Sequence, residues 1–216
     1  MAGPVPHSVL PDSASADSDG SLVVGNVRVE ALAAMYGTPL FVYDEAQLRA
    51  RCREAVSVFG SGVAYASKAF LCAAMVRIAH QEGMWIDVAT GGEMHIALAA
   101  GMPANRVVLH GNNKSEDELR RAMFVGVGRI VVDSFDEMDR IDELVAKGLR
   151  APRVLIRVTP GVEAHTHEFV KTGQEDSKFG FGWHSGAAAE AMERAASSSS
   201  MELVGMHMHI GSQVFS

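Results

Sequence analysis

The sequence predicts an α/β fold of the (β/α)8 TIM-barrel class, truncated here after about six strand and helix units. Short apolar runs rich in β-branched residues recur along the chain, and an alanine-rich helical pattern follows each of them. The predicted strands cover residues 63–67, 85–89, 106–110, 129–133, 154–158 and 203–210. Because the first five begin 21 to 25 residues apart, they indicate consecutive βα units and a parallel sheet. No GxGxxG turn follows the first of them, which favours a barrel over a doubly wound sheet.

An ionisable side chain lies at or near the C-terminal end of each predicted strand. These residues are Lys68, Asp87, His110, Asp133, Arg157 and His209. Each could separately be a capping or salt-bridge residue, but barrel enzymes assemble their sites at this end of the strands. Lys68 is the most informative, because a lysine amine in an apolar, positively charged pocket loses its proton and becomes a nucleophile toward aldehydes. The pattern therefore predicts an enzyme site that contains Lys68.

The chain before the barrel strands divides into a polar tail and a short strand and helix segment. Residues 1–20 are rich in Ser, Asp, Ala and Pro, carry no signal-peptide pattern and predict a disordered tail. Residues 21–29 predict strand material with a turn at Gly25 and Asn26. Residues 30–36 predict a helix closed by Gly37.

Residues 38–43 predict a further strand, and Asp44 follows it as a helix N-cap. Gln47 stands three residues beyond Asp44, a capping-box spacing, and the helix is expected to run toward Phe59. The predicted domains are therefore the tail at 1–20, an N-terminal segment at 21–43 and a partial barrel at 44–216.

Composition restricts the class of protein and of partner. The chain has 216 residues, 48% of them hydrophobic and 21% charged, which excludes disorder for most of its length. A net charge of -7 without clustered Lys or Arg argues against nucleic acid or an anionic membrane surface, so a small-molecule partner is expected. Cys52 and Cys72 lack CxxC spacing, which fits a reducing, cytoplasmic location. No apolar run reaches the roughly 18 residues that a membrane-spanning helix needs.

The last two predicted strands begin 49 residues apart, about twice the usual spacing. The difference reflects an insertion between Thr159 and Trp183 that is rich in glycine and ionisable residues. Because it follows a strand, the insertion is expected on the same face as the strand-end residues, and a long polar loop there is more often functional than not.

Five motifs occur in order along the chain. They are YASKA at 65–69, DVATGGE at 87–93, HGNNKS at 110–115, the stretch 165–180 with HTHE at its start and KFG at its end, and HMHIGSQ at 207–213. With these motifs the chain resembles the diaminopimelate decarboxylases, which belong to the pyridoxal-phosphate enzymes built on an alanine-racemase-like barrel. The resemblance runs from about residue 21 to the last residue, and it rests on the order of all five motifs.

The resemblance implies pyridoxal 5'-phosphate as cofactor and Lys68 as the catalytic residue that carries it. An amine at this position would hold the cofactor aldehyde until the substrate amino group replaces it. His209 is implied to lie against the pyridine ring, and Gly211 and Ser212 near the phosphate. Asp87 corresponds to an aspartate close to the cofactor lysine, where its charge would hold an ammonium or iminium group.

Other residues are implied at the same pocket. Arg157 is expected among the cofactor-binding residues, and Glu93, His110 and Lys178 are expected near the substrate. For Glu93 the alternative is a partner of a helix N-terminus, because it stands in the first turn after two glycines.

The reaction implied is decarboxylation of meso-2,6-diaminopimelate to L-lysine, the last step of lysine biosynthesis, by a homodimer with active sites at the interface. The chain stops shortly after the sixth strand, so it is expected to be the N-terminal portion of a longer protein and inactive alone. The phosphate-binding glycine loop, the carboxylate that pairs with the pyridine nitrogen and a cysteine from the second subunit are expected beyond residue 216. The segment 21–43 is expected to associate with a second, β-rich domain.

Three alternatives stay open. Decarboxylases of ornithine, arginine or carboxynorspermidine share the barrel and the cofactor. A pyridoxal-phosphate homeostasis protein has the same barrel without catalysis, although the HIGSQ run and the long insertion argue against it. A metal-dependent barrel hydrolase is suggested by the i, i+2 pairs His165/His167 and His207/His209. The first pair lies in a loop and the second has no carboxylate at ligand spacing, so no metal is expected.

Overall fold

The computed structural model of the chain describes residues 9–161 and 179–211. The chain divides into two compact units, one formed by residues 1–63 and 81–84 and the other by residues 64–80 and 85–216. Among the described residues, no helix is both long enough and apolar enough to cross a bilayer.

The first unit contains a three-stranded antiparallel sheet, β1 (Ser15–Ala16), β2 (Leu22–Val24) and β3 (Val27–Arg28), in that order. Gly25 and Asn26 join β2 to β3 with φ angles of 57° and 66°, as a two-residue hairpin turn requires. This hairpin confirms the predicted turn. The tail prediction extends too far, because Ser15–Ala16 pairs with β2; residues 1–8 lie outside the described residues.

The two helices of the first unit follow the sequence prediction closely. Helix α1 (Val29–Tyr36) ends at Gly37, whose φ of 81° is positive and therefore suits a glycine. Helix α2 (Glu45–Phe59) begins after Asp44, whose carboxylate accepts a hydrogen bond from the backbone N–H of Gln47.

The predicted strand at residues 38–43 is wrong. No strand assignment covers these residues, and Phe41 is 86% exposed. An apolar run forms a strand only where a neighbouring strand supplies its hydrogen bonds. In the described part of the chain none pairs with this segment.

The second unit alternates strands with helices and contains a parallel sheet. Its strands are β4 (Ala64–Ala66), β5 (Trp85–Val88), β6 (Val107–Leu109), β7 (Arg129–Val132), β8 (Arg153–Thr159), β9 (Phe181–Gly182) and β10 (Glu202–Met208). Its helices are α3 (Ala73–Gln81), which continues into the first unit, α4 (Gly91–Ala99), α5 (Glu116–Val125), α6 (Phe135–Ala146) and α7 (Ala187–Ser197). All six predicted strands are present, with ends that differ by at most two residues.

The strand order is β10-β8-β7-β6-β5-β4, and every pair in it is parallel. Strands that follow one another in sequence are therefore adjacent in the sheet, with β9 as the exception. This short strand pairs with the end of β8, and the sequence did not predict it. This order is that of consecutive strands in a (β/α)8 barrel, which confirms the predicted fold class.

The two faces of this sheet have different compositions. Every second residue of the central strands packs against the helices in one hydrophobic core. These core residues are Ile86, Val88, Val107, Leu109, Ile130, Val132, Val154, Ile156 and Val158. Side chains alternate between faces along a strand, so the residues between them project from the opposite face. Toward the carboxyl ends of the strands, that opposite face carries the ionisable residues.

A register shift interrupts the pairing of β10 with β8. Leu203 is paired with Val154 and Gly205 with Leu155, so Val204 is an extra residue in β10. From that point onward the register is regular again.

Short polar caps start the helices directly after the strands. Thr90, Ser115 and Ser134 each accept a hydrogen bond from the backbone N–H three residues on, at the starts of α4, α5 and α6. Two residues separate β5 from α4 and β7 from α6, and six separate β6 from α5. The connection after β8 is longer, because it contains the insertion between Thr159 and Trp183.

Candidate active site

Sheet register brings Asp87 and His110 to one face of the sheet. Asp87 is paired with Ala66 on β4 and with Val108 on β6, and His110 stands two residues beyond Val108. Lys68 lies in a single 3-10 turn after β4 and is exposed. Its positive charge contributes to the lowered pKa of His209, which relates it to the same group of side chains.

Asp87 and His110 form a hydrogen bond between Oδ1 of the carboxylate and Nδ1 of the imidazole. The backbone N–H of His110 also donates to the carbonyl of Val88 at 2.7 Å, which extends the ladder between β5 and β6 by one residue. When His110 is neutral, the carboxylate places the proton on Nδ1. The other ring nitrogen, Nε2, is buried and has no hydrogen-bond partner among the described residues.

The opposite part of the same face carries Arg157, His207 and His209. Arg157 and His207 are register partners on β8 and β10, and His209 follows two residues later. The rings of His110 and His207 meet edge to face, with centroids 4.6 Å apart. His207 therefore joins the Asp87 and His110 pair to the end of β10. The sequence motif contains His207, but the prediction assigned it no site role.

His207 in β10 and His209 just after it both have lowered pKa values. Burial is the main cause for His207, and the neighbouring His110 and Arg157 add to it, so that its pKa is about 4. Burial also lowers the pKa of His209, followed by the positive charges of Lys68 and Arg157. Because the charge of Lys68 contributes to the lowered pKa of His209, the residues that follow β4 and β10 interact electrostatically. At neutral pH the imidazole of His207 is uncharged.

A second group of charged side chains adjoins this face through Arg157. The sequence did not predict that these side chains pair with one another. Lys114 and Glu137 form a buried ion pair of 2.7 Å, and Arg157 and Asp133 form another of 3.3 Å. The spacing of Lys114 and Glu137 in sequence carries no signal that they pair. The sequence indicated only that Asp133 and Arg157 each stand at or near a strand end.

Glu93 has the local structural role that was considered as its alternative. Its carboxylate accepts from the backbone N–H groups of Ala89 at 2.6 Å and Thr90 at 3.2 Å, and Thr90 accepts from Glu93 in return. This reciprocal capping box begins α4.

The remaining predicted site residues are at the edge of the described chain or outside it. Gly211 is the last described residue after β10, with a φ of 134°. Ser212, Lys178 and the histidines at 165 and 167 lie outside the described residues. Within 9–161 and 179–211, no group of three or more His, Cys, Asp or Glu is arranged to hold a metal ion.

The donors on this face fit a small cofactor with an aldehyde and an anionic group. Lys68 offers an accessible amine, and Arg157 offers a guanidinium. Buried ring nitrogens of His110 and His207 have no partner in the described part of the protein. Because buried polar atoms normally have hydrogen-bond partners, such atoms beside an accessible amine are a reason to expect a bound group.

Comparison with known proteins gives a family match and close relatives. The profile of the family described as "Pyridoxal-dependent decarboxylase, pyridoxal binding domain" matches residues 45–216. The diaminopimelate decarboxylase of Mycobacterium tuberculosis is 49% identical over 210 residues, which cover 96% of this chain and 47% of the relative. That of Bacillus subtilis is 49% identical over 201 residues, covering 91% and 46%. The chain spans about half the length of these curated relatives.

Solved structures with the same fold bear the same name. Diaminopimelate decarboxylase from M. jannaschii in co-complex with L-lysine matches with a TM-score of 0.83 and 31% identity, over 94% of this chain and 49% of that one. The enzyme from Helicobacter pylori complexed with L-lysine matches with a TM-score of 0.79 and 28% identity, over 88% and 48%. The family profile covers well over half of the chain and agrees with the fold. The chain therefore belongs to the pyridoxal-dependent decarboxylase family, and its residues 45–216 match the pyridoxal-binding domain of that family.

Proposed function

We propose that the full-length protein decarboxylates meso-2,6-diaminopimelate to L-lysine with pyridoxal phosphate as cofactor. The observation that carries the proposal is the identity of 49% to diaminopimelate decarboxylases over nearly the whole chain. Two further facts support it. Relatives with this name have been solved with L-lysine bound, and the strand ends here present the amine, carboxylate and imidazoles that such chemistry uses.

Lys68 would hold the cofactor through its amine. It follows the first barrel strand in a 3-10 turn, and its neighbour Ser67 is buried, which fixes the backbone on which the amine is presented. When bound, pyridoxal phosphate supplies an electron sink for the pair of electrons that remains after carbon dioxide leaves.

The histidines and Asp87 would set the charge of the pocket. His207 and His209 have lowered pKa values, because burial and nearby cations disfavour their protonated forms. A neutral His209 can lie against an aromatic ring without adding a positive charge. Asp87 holds the proton of His110 on Nδ1, which leaves Nε2 free to accept a hydrogen bond from a ligand.

Arg157 would contribute a fixed positive charge, and Gly211 and Ser212 would contribute backbone and hydroxyl donors to the cofactor phosphate. Glu93 and Lys178 remain proposed neighbours of the substrate. For Glu93 this role has to be compatible with its capping of α4.

A related substrate is the main alternative. A lysine/ornithine decarboxylase from Vibrio vulnificus has the same fold with a TM-score of 0.70, but its identity of 22% supports the fold alone. Ornithine and arginine are therefore the substrates against which diaminopimelate has to be compared.

The proposal includes a homodimer and a cytoplasmic location. Cys52 and Cys72 are both free, which fits a reducing compartment.

The test is carbon dioxide release by the full-length protein, loaded with pyridoxal phosphate, from meso-diaminopimelate, ornithine and arginine in parallel. We expect turnover of diaminopimelate with L-lysine as product, and turnover of the other two at least tenfold lower, about 1.4 kcal/mol of discrimination. Equal turnover of the three would reject the proposed substrate. Absence of turnover with all of them, in a protein that binds the cofactor, would reject decarboxylation.

A further inference from the structure

Four charged side chains form a continuous buried network at the carboxyl ends of the central strands. They come from the loop after β6, the end of β7, the first turn of α6 and the end of β8, and each is at most 8% exposed: Lys114, Asp133, Glu137 and Arg157. Two are cations and two are carboxylates, so the charges balance. Charged groups are almost never fully buried unless they are paired.

Lys114 and Glu137 make up the deeper half of the network. The Lys114 ammonium donates to the backbone carbonyls of Gly111 and Val131, both at 2.6 Å, and lies 2.7 Å from Glu137 Oε1. Two hydrogen bonds and one ion pair thus join the loop after β6 to β7 and α6. Burial raises the pKa of Glu137, while the charge of Lys114 opposes that shift.

Asp133 connects this pair to Arg157. Its backbone N–H donates to Glu137 Oε2 at 3.1 Å, and its own carboxylate accepts from Arg157 at 3.3 Å through Oδ1 and from the backbone N–H of Gly180 at 2.9 Å through Oδ2. Both carboxylate oxygens are therefore occupied. The guanidinium of Arg157 also stacks on the ring of Phe179, 4.5 Å from its centroid.

The network ends at the face that carries the histidines. Arg157 is the register partner of His207, and its charge contributes to the lowered pKa values of both His207 and His209. The position of this one guanidinium therefore affects two side chains of the site. Arginine has several long-chain rotamers, so a single position requires partners such as Asp133 and Phe179.

We infer that Asp133 is a positioning residue, which fixes the guanidinium of Arg157 at the cofactor site, and that the buried Lys114 and Glu137 pair holds Asp133 in place. Neither Lys114 nor Glu137 is required to touch the cofactor. The inference rests on the proposed function through Arg157, which is expected to be a cofactor-binding residue.

If the Lys114 and Glu137 pair only stabilised the fold, replacing both residues would leave cofactor binding unchanged. Replacing both partners of a buried ion pair with apolar residues of similar size often leaves a protein as stable as before, whereas removing one partner leaves an unpaired buried charge. The double variant Lys114→Met/Glu137→Leu therefore separates the two roles. It removes the support of Asp133 and keeps the interior neutral.

The experiment measures the dissociation constant of pyridoxal phosphate for the full-length apoprotein by equilibrium dialysis, together with the melting temperature and the visible absorption band of bound cofactor. We expect the double variant to melt near the wild-type temperature, to bind the cofactor about 10 to 100 times more weakly and to shift the band, because the guanidinium charge is displaced. A control away from the site, Arg194→Met/Asp142→Leu, removes a partly exposed ion pair of 2.8 Å between α7 and α6, and it should bind the cofactor as the wild type does.

If the double variant does not fold, the single variant Asp133→Asn tests whether Asp133 positions Arg157. Asparagine has nearly the same shape and keeps one acceptor, but it lacks the charge that holds Arg157. We expect weaker cofactor binding and a shifted absorption band. Wild-type affinity and an unshifted band in the folded variants would overturn the inference, even if their melting temperatures fall.

The result is distinguishable from a failure of the proposed function. Cofactor affinity can be compared among variants whether or not diaminopimelate is the substrate. If the wild type binds the cofactor but releases no carbon dioxide from diaminopimelate, the substrate assignment falls and the inference is still decided by the comparison. If the wild type binds no pyridoxal phosphate, both are rejected.

Discussion

Arg157 on β8 and His207 on β10 are register partners in neighbouring parallel strands, and their side chains leave the sheet on the same face. A permanent cation thus lies beside an imidazole that burial already disfavours in its protonated form. The pKa of His207 is about 4 as a result, below its ordinary value of 6.5. This relationship makes the stability of the protein depend on pH in a definite direction.

Acidification should destabilise the fold through His207. Between pH 6.5 and about pH 4 the unfolded chain binds a proton at this position that the folded chain does not, so the free energy of unfolding falls as the pH falls through this window. Above pH 6.5 both states are neutral there and the effect vanishes. His209, whose pKa is also lowered, acts in the same direction.

The measurement is the melting temperature of the full-length protein and of His207→Asn between about pH 4.5 and pH 7.5. The variant should lose less stability on acidification than the wild type. Parallel curves for the two proteins would contradict the assignment of this pH dependence to His207.

Lys68 is predicted to be the point of cofactor attachment. Borohydride reduction of the loaded full-length protein should fix the cofactor onto the peptide that contains Lys68, as found by mass spectrometry. Lys68→Ala should abolish this labelling and lower kcat by more than about 10³-fold, the order of loss seen when a nucleophile is removed. Lys147, at the exposed end of α6, provides the control: Lys147→Ala should label and turn over normally. Cofactor fixed to a different lysine would contradict the prediction.

The main role of Glu93 is predicted to be the capping of α4. Glu93→Ala removes the acceptor for the N–H groups of Ala89 and Thr90 and should lower the free energy of unfolding by about 1 kcal/mol. Glu93→Gln keeps an acceptor at the same place and should preserve stability, with kcat/KM within about twofold of the wild type. A large loss of kcat/KM in the folded Gln variant would instead assign Glu93 to the substrate pocket.

Gly128 should tolerate no side chain. A Cβ at this position would overlap the backbone oxygen of Asn105 and lie 2.6 Å from a ring carbon of Trp85. Gly128→Ala should therefore cost about 1–3 kcal/mol in chemical denaturation. Gly92→Ala is the matched control, because its Cβ would only contact Thr90 at 3.8 Å, and alanine in a helix should stabilise by up to about 1 kcal/mol. Equal effects of the two substitutions would disagree with the packing described.

The barrel strands were predictable because their signals are local. The run at residues 130–132 is apolar, β-branched and followed by a capped helix, and it lies in β7 almost as predicted. The segment 38–43 has a similar apolar composition but gains no strand partner, which no local pattern reveals. The short β9 depends in turn on pairing with the end of β8.

In the candidate site, too, some features follow from local sequence and others depend on tertiary contacts. The sequence indicates that Lys68, Asp87, His110, Arg157 and His209 stand at or near strand ends. The strand register relates Asp87 to its neighbours on β4 and β6, and Arg157 to His207 on β10. The pairing of Lys114 with Glu137 joins residues from different loops and helices, so spacing could not predict it. The functional roles of all these residues stay predictions until they are tested.

The extra residue in β10 has a consequence for how sequence change affects this region. With uninterrupted pairing from Leu203 onward, Met206 would oppose Arg157; the register shift puts His207 there instead. Whether imidazoles or thioethers face the guanidinium therefore depends on one extra residue being taken up in the bulge. Deletion of Val204 would remove that residue and make the pairing regular, with His207 still opposite Arg157. Loss of the extra residue is therefore the one-residue length change that this strand should tolerate best, and length variation among natural homologues is expected at this position rather than between it and His207.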